Sequence, residues 1–385
     1  MSKLIFLVTE DWWLCQHFLP MVRAAKAAGL DVVVATRLRN HRERIEGEGC
    51  QVIPLEANRS SLALGEAAAT IRRITGILRQ EKPDIVHCIG LRMVLLGGIS
   101  ARLAGSPGLI LAPTGLGHLW IENGLIERAL RPTVRLIVAG LLRGSRTRYL
   151  FENTEDPREF GLDRQRDGVT IVGGAGVDPD AFHVAPDPPA PPVKIAVVSR
   201  MLKPKGIAES VAAVARARAL GAGVELHLYG APDPSNRTSL SEADLRAWSE
   251  MPGIYWRGRT EDVARVYREH HIAMLLSHRE GLPRTLVEAA ASGRAIIATD
   301  VVGCREVVRD GIDGILVPLG NIEQTAAAIA QLTQDIDLRQ RMGAAARSHF
   351  LQRFTEGVVS NTARALYENL LTAVRDEPRE SGAKR

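Results

Sequence analysis

Two glutamates, Glu280 and Glu288, stand eight positions apart in the segment HREGLPRTLVEAAASG of this 385-residue chain. Gly281 permits a close backbone approach, Pro283 pre-sets a first helical turn, and Gly293 stops a helix predicted over 284–292. The N–H groups of Arg284, Thr285 and Leu286 open that helix, where the positive end of its dipole favours phosphate; Pro283 cannot donate. One carboxylate before the turn and another one turn inside the helix can accept hydrogen bonds from vicinal hydroxyls. Such a set suits a polyhydroxylated ligand that also carries phosphate, and a nucleotide sugar is one. The spacing alone is weak evidence, because a capped surface helix with two ordinary glutamates looks the same.

A second constellation, SRMLKPKG, follows the apolar run KIAVV. Arg200 and Lys205 flank a turn that ends at Gly206, with Lys203 as a nearby competitor. Arginine can hold two oxygens at once and lysine supplies a mobile point charge, so the pair suits a diphosphate. Basic residues on an exposed turn are the plainer reading of this spacing taken alone.

The elements that must position these residues come from an alternation of short β-rich runs with helical stretches. In the first half it runs LIFLVT, FLPMVRAAKAAG, DVVVAT, QVIPL, a helix near 62–80, and DIVHCIG. In the second it runs KIAVVS, VELHLYG, IYWRG, IAMLLS, AIIATD and GILVP, with helices between them. This predicts an α/β chain of two tandem Rossmann-like, doubly wound domains facing a cleft, with ligand loops at the C-terminal ends of parallel strands. The expected domains are 1–183 on the acceptor side, a proline-rich linker over 184–193, and a nucleotide-sugar donor domain over 194–375. Its last helix is expected to pack back on the first domain, and 376–385 to form a polar disordered tail.

The residues around Glu280 and Glu288 resemble the donor-site signature of glycosyltransferase family 4, retaining enzymes with the glycosyltransferase B fold. The shared pattern is E-x7-E followed by A-x-x-x-G at Ala289–Gly293, and R-x4-K-G at Arg200, Lys205 and Gly206 matches the same family. The resemblance implies that Glu280 faces the donor sugar, that Glu288 holds the ribose, and that Arg200 and Lys205 take the diphosphate. It also implies donor contacts from Gly281, Leu282, Thr285 and Leu286, and places Gly258 and Arg259 of IYWRGRTEDVARVY beside the base. His118 lies where the family often sets a histidine near the transferred sugar. GGAGVDPDAF resembles the interdomain element; Asp178 and Asp180 in it read as a turn and not as a metal site. TEDWWLCQHF, PTGLGHLW and FENTEDPREF are similar to the branch that builds bacterial surface glycans on polyprenyl diphosphate carriers. The bulky, acidic Thr9–His17 departs from the glycine-rich first loop of many members, so Glu10, Asp11 and His17 are acceptor-side candidates only.

The implied reaction moves a hexose or N-acetylhexosamine from a UDP-sugar to a lipid-linked oligosaccharide, with retention and without a metal or other cofactor. The rival readings are a UDP-sugar 2-epimerase-like isomerase and a non-catalytic nucleotide-sugar-binding protein. Composition bounds the rest. Cys15, Cys50, Cys88 and Cys304 are scattered with no C-x-x-C pair, which argues against a zinc site or a disulfide framework and for a cytoplasmic setting. A net charge of +5 without an aromatic-studded basic motif excludes nucleic acid as the expected partner. Between Arg92 and Arg148, however, eight arginines face two glutamates, a local excess of +6 that suits either a solvated helix surface or an anionic membrane face. The expected location is peripheral, on the inner face of the cytoplasmic membrane.

Overall fold

A computed structural model describes residues 1–56, 64–114 and 124–376. The chain packs as two units, one formed by Met1–Gly176 together with the chain from Gly357 onward, the other by Val177–Glu356.

In the first unit seven strands form one parallel sheet: β1 (Lys3–Glu10), β2 (Asp31–Arg37), β3 (Gln51–Pro54), β4 (Ile85–Ile89), β5 (Gly108–Ala112), β6 (Thr147–Phe151) and β7 (Val169–Ile171), in the order β3-β2-β1-β4-β5-β6-β7. Strand β1 sits centrally, Ile5 lying opposite Val33 of β2 and Val86 of β4. Its apolar run serves both faces, as the two-residue strand period demands. Leu4, Phe6 and Val8 enter one core with Leu14, Phe18 and Met21, while Ile5 and Leu7 enter the other with Ile74, Leu78, Met93 and Val138. The last helix, Glu356–Asp376, closes the first of these cores with Val359, Ala363, Leu366, Tyr367, Leu370 and Leu371. Buried there, the Tyr367 hydroxyl lies 3.1 Å from His87 Nδ1 of β4.

In the second unit β8 (Val193–Val198), β9 (Val224–Tyr229), β10 (Ile254–Gly258), β11 (Ile272–Leu275), β12 (Ala295–Thr299) and β13 (Gly314–Val317) form a parallel sheet of order β10-β9-β8-β11-β12-β13. Ile195 and Val197 of β8 pack with Ile207, Val211, Val214, Ile329 and Leu332 on one face. Ala196 shares the other face with Leu286, Val287, Ala290 and Phe350. The small residues of that second layer, Ala289 and Ala291 among them, let the Arg284–Ala291 helix lie close on the sheet.

The proline-rich stretch over 184–193 behaves differently from the linker expected of it. The change of unit falls at Gly176–Val177, and residues 184–193 lie within the second unit. Val177 N–H donates to the Phe354 carbonyl at 2.9 Å. Asp187 accepts from the almost fully buried Arg294 at 2.8 Å and from Arg339 at 3.3 Å, and the Ala185 carbonyl accepts from Arg294 at 2.9 Å. Proline excludes helix and central strand here, and two buried guanidinium groups pin the segment instead. Helix, not tail, extends to Asp376; the rest of the expected tail lies outside the described residues.

Candidate functional site

Strands β8 and β11 are neighbours from which the chain order runs outward in opposite directions, to β9 and β10 on one side and to β12 and β13 on the other. The loops leaving their C-terminal ends therefore emerge side by side at the switch point, where open α/β sheets bind ligands. One loop carries Arg200 and Lys205, the other Glu280.

Backbone packing holds the two loops together. Gly206 follows a single 3₁₀ turn, Lys203–Lys205, and has φ +68°; a Cβ there would stand 2.1 Å from the Leu276 carbonyl oxygen. No side chain fits, and the left-handed backbone independently favours glycine. Two residues on from Leu276, the His278 N–H donates to the Pro204 carbonyl at 2.9 Å, and its ring Nε2 lies 2.8 Å from Glu209 Oε1. Within this frame Lys205 Nζ donates to Glu280 Oε1 at 2.5 Å, with side-chain exposures of 23% and 11%.

The other half of the loop is fastened by the next helix. A Cβ on Gly303, in the Val302–Val307 helix, would meet the carbonyl oxygens of Glu280 and Gly281 at 2.7 Å. The sequence reading missed Gly303, although a glycine one residue into a helix after a strand signals close backbone approach. Cys304 is buried beside the same charges, and burial pushes its thiol up, so it stays protonated and unreactive.

The Arg284–Ala291 helix starts after Pro283, which has φ −75° and ψ 103°, and Gly293 follows its end with φ +68°. Glu288 is buried and accepts from Arg284 Nε at 2.8 Å. Burial raises its carboxyl pKa, with Arg284 opposing the shift. The Tyr267 hydroxyl donates to the Thr285 carbonyl at 2.8 Å and lies 2.5 Å from Thr285 Oγ1.

Of the N–H groups expected to face phosphate, that of Leu286 already donates, to the Pro283 carbonyl at 3.0 Å, and its side chain is buried in the core. The Pro283 carbonyl also takes Val287 N–H, at 3.2 Å. The i→i−4 ladder thus begins at Val287, and the N–H groups of Arg284 and Thr285 stand ahead of both bonds. Leu282 packs against the core below.

Arg200 stands apart from the Lys205–Glu280 pair. Its side chain is 63% exposed and lies 3.8 Å from Asp233 Oδ2 after β9. Gly258, with φ +72°, accepts from Gly230 N–H at 2.7 Å, and Arg259 is exposed. Both lie at the end of edge strand β10, about 10 Å from β8 by strand spacing. The donor-side residues thus stand either at the C-terminal ends of these strands and on the loops that leave them or, for Thr285, Leu286 and Glu288, within the Arg284–Ala291 helix.

In the first unit, His118 lies outside the described residues. Asp11 is a loop clamp and not an acceptor contact: its carboxylate accepts from the N–H groups of Trp12 at 2.7 Å, Arg39 at 2.7 Å and His41 at 3.1 Å. Glu10 is buried 3.4 Å from Arg37, and the His17 ring packs on Trp13 with centroids 4.0 Å apart. Reasoning from sequence passed over Glu152, the residue after β6. Burial, with the Asp156 charge adding to it, pushes its carboxyl up to about 7. Asp180 N–H donates to Asp178 Oδ1 at 2.9 Å, the local turn expected of that pair. Among the described residues, no three His, Cys, Asp or Glu side chains converge as metal ligands.

Residues 192–335 match the family model described as glycosyl transferases group 1, and residues 3–146 match glycosyl transferase 4-like; the two matches span most of the chain. The chain belongs to the glycosyltransferases. It is 22% identical over 378 residues to the N,N'-diacetylbacillosaminyl-diphospho-undecaprenol alpha-1,3-N-acetylgalactosaminyltransferase of Campylobacter jejuni, covering 93% of this chain and 96% of that one. It is 26% identical over 391 residues to the capsular polysaccharide biosynthesis glycosyltransferase CapM of Staphylococcus aureus, covering 96% and 98%. Among solved structures, Anabaena HepE in complex with UDP and glucose superposes with a TM-score of 0.73 at 14% identity, over 94% of this chain and 98% of that one. That likeness establishes the fold, glycosyltransferase B, in which two parallel-sheet α/β domains follow one another.

Proposed function

We propose that this glycosyltransferase is retaining and metal-independent, and moves a hexose or N-acetylhexosamine from a UDP-sugar to a polyprenyl diphosphate-linked oligosaccharide during assembly of a bacterial surface polysaccharide. The observation that carries the donor half is the meeting of Lys205 and Glu280, 2.5 Å apart, at the switch point of the second sheet. A cation suited to phosphate and a carboxylate suited to hydroxyls, side by side, support a ligand whose diphosphate joins a sugar. UDP and glucose in the similar HepE structure support a uridine nucleotide. The names of the two curated relatives support a lipid-linked acceptor and a polysaccharide product.

In this reading Arg200 and Lys205 neutralise the leaving diphosphate as charge develops on it, which is where preorganised cations act most strongly. Attack comes from the face the diphosphate leaves, and a phosphate oxygen accepts the proton of the acceptor hydroxyl. Glu280 orients sugar hydroxyls and Glu288 receives the ribose, giving up Arg284 for it or sharing it. The cationic side chains supply the charge that a metal supplies elsewhere.

The test is a panel of UDP- and GDP-sugars scored for protection against unfolding; a ligand at a hundredfold excess over its Kd adds ~2.7 kcal/mol. Protection by a UDP-sugar, and sharply reduced transfer in E280A, R200A and K205A with the fold intact, are expected. No protection by any nucleotide sugar, or near-normal turnover in all three variants, overturns the assignment. Conversion of the UDP-sugar without an acceptor would make the protein an isomerase instead.

For the acceptor, a peripheral position on the inner membrane face is supported by one stretch of the first unit. The Leu125–Arg135 helix continues into the π-helical turn Leu136–Leu141, and Leu136 and Leu141 are 71% and 62% exposed on the same stretch as the exposed Arg128. Apolar side chains beside cations suit the headgroup boundary of an anionic bilayer. Among the described residues no helix is long and apolar enough to cross a membrane. Sedimentation with anionic but not neutral vesicles is the expected result, and its absence removes the membrane claim.

A further inference from the structure

We propose that Glu280 makes the site discriminate between a nucleoside diphosphate that still carries its sugar and one that has lost it, by holding Lys205 and by repelling a free terminal phosphate. The inference rests on the donor reading above and adds to it what the resting ion pair does to ligand choice.

Lys205 is engaged by Glu280. Its ammonium lies 2.5 Å from Glu280 Oε1, and the backbone beneath both side chains is held. Gly206 is pressed on the Leu276 carbonyl, and Pro204 accepts from His278, which fixes the loop under each partner. Glu280 is the less exposed of the two, at 11%. Drawing Lys205 toward a phosphate strands a largely buried carboxylate, and an ion pair broken from one side costs more than the pair contributes when whole.

Two ligands meet this arrangement differently. A nucleotide sugar has its second phosphate esterified to the sugar, which leaves that phosphate a single negative charge, and sets sugar hydroxyls beyond it. Those hydroxyls donate to Glu280 while the phosphates take Lys205, so both partners of the broken pair are satisfied. The sugar-free diphosphate ends in an unesterified phosphate carrying extra negative charge near neutral pH, since a terminal phosphate loses its second proton at a pKa of about 6. Its terminal oxygens lie where the sugar stood, next to the Glu280 carboxylate, and offer no hydroxyl in exchange for Lys205. Like charges a few ångströms apart in a largely dehydrated loop oppose binding. After transfer, Glu280 therefore recovers Lys205 and the spent nucleotide is released.

The experiment is calorimetric titration of the full chain with UDP, and with UDP-glucose and UDP-N-acetylglucosamine, for wild type, E280Q and E280D at pH 7.5. E280Q removes the charge and keeps the shape; E280D keeps the charge. UDP is expected to bind E280Q about fivefold tighter than wild type or more, the scale of one partly buried charge contact. Binding of the sugar nucleotides is expected to be unchanged or weakened, and E280D to bind UDP as wild type does. Equal or weaker UDP binding by E280Q overturns the proposal, and so does equal tightening in both variants, which traces the effect to a loosened loop and not to charge. Wild type that binds the sugar nucleotides while E280Q shows no gain for UDP leaves the donor reading standing and removes this inference alone. Failure of every nucleotide to bind wild type overturns both.

Discussion

The loop positions of Glu280 and Lys205 were legible in the sequence because each follows an apolar run that predicts a strand, and the structure brings the two side chains together. The bond that occupies Leu286 N–H was not legible. Whether its N–H is offered to a ligand depends on the dihedral angles of Pro283, and no residue type announces that carbonyl's hold on it. Gly206 is the residue on which the pairing hangs. In G206A a Cβ in a left-handed backbone meets the Leu276 carbonyl, so the variant should lose ~2 kcal/mol or more of stability and most of its nucleotide-sugar protection. Urea midpoints with and without ligand check both effects. Glu152 offers a pH test. Its carboxyl, raised to about 7, holds its proton more firmly folded than unfolded, so the folded state loses stability as pH rises from the ordinary glutamate value through 7. Substituting E152Q should leave the urea midpoint unchanged near pH 4.5 and raise it at pH 8.

At the scale of elements, the parallel strands were readable because a strand buried on both faces needs an unbroken apolar run, as β1 and β12 have. The segment over 184–193 was misread because its anchors, Arg294 and Arg339, lie more than a hundred positions away from Asp187 and no local pattern points to them. Elements of the second unit also share a buried histidine pair. His227 of β9 and His270, just before β11, lie 2.8 Å apart through Nδ1 and Nε2. Burial lowers both to about 4, helped at His227 by the Arg257 charge and opposed at His270 by the Val266 carbonyl. The unfolded chain binds these protons more readily, so their contribution is complete above about 6.5 and is lost as pH falls toward 4. Second-unit stability is expected to drop by ~1.4 kcal/mol per pH unit for one such histidine in that window. Denaturant titrations at pH 5 and pH 7, with an H227Q/H270Q variant whose dependence flattens, measure it.

At the scale of the molecule, the two-domain plan followed from the repeated alternation, whereas the place at which the chain changes unit depends on contacts of Val177 with Phe354 that are long-range. The second unit is one continuous stretch, Val177–Glu356, with its own core and both switch-point loops. Expressed alone, it should fold cooperatively and retain the Lys205–Glu280 pair, which circular dichroism and nucleotide protection would register; an unfolded fragment contradicts this division. The first unit is discontinuous, because Leu366, Tyr367 and Leu370 of the last helix complete its core. Consequently a chain ending at Glu356 should show a native second unit and a first unit open to proteolysis. On the ribosome the order of folding is then the reverse of the order of synthesis. The first 176 residues emerge with an uncovered apolar face and wait, through the making and folding of everything between, for the helix that seals them.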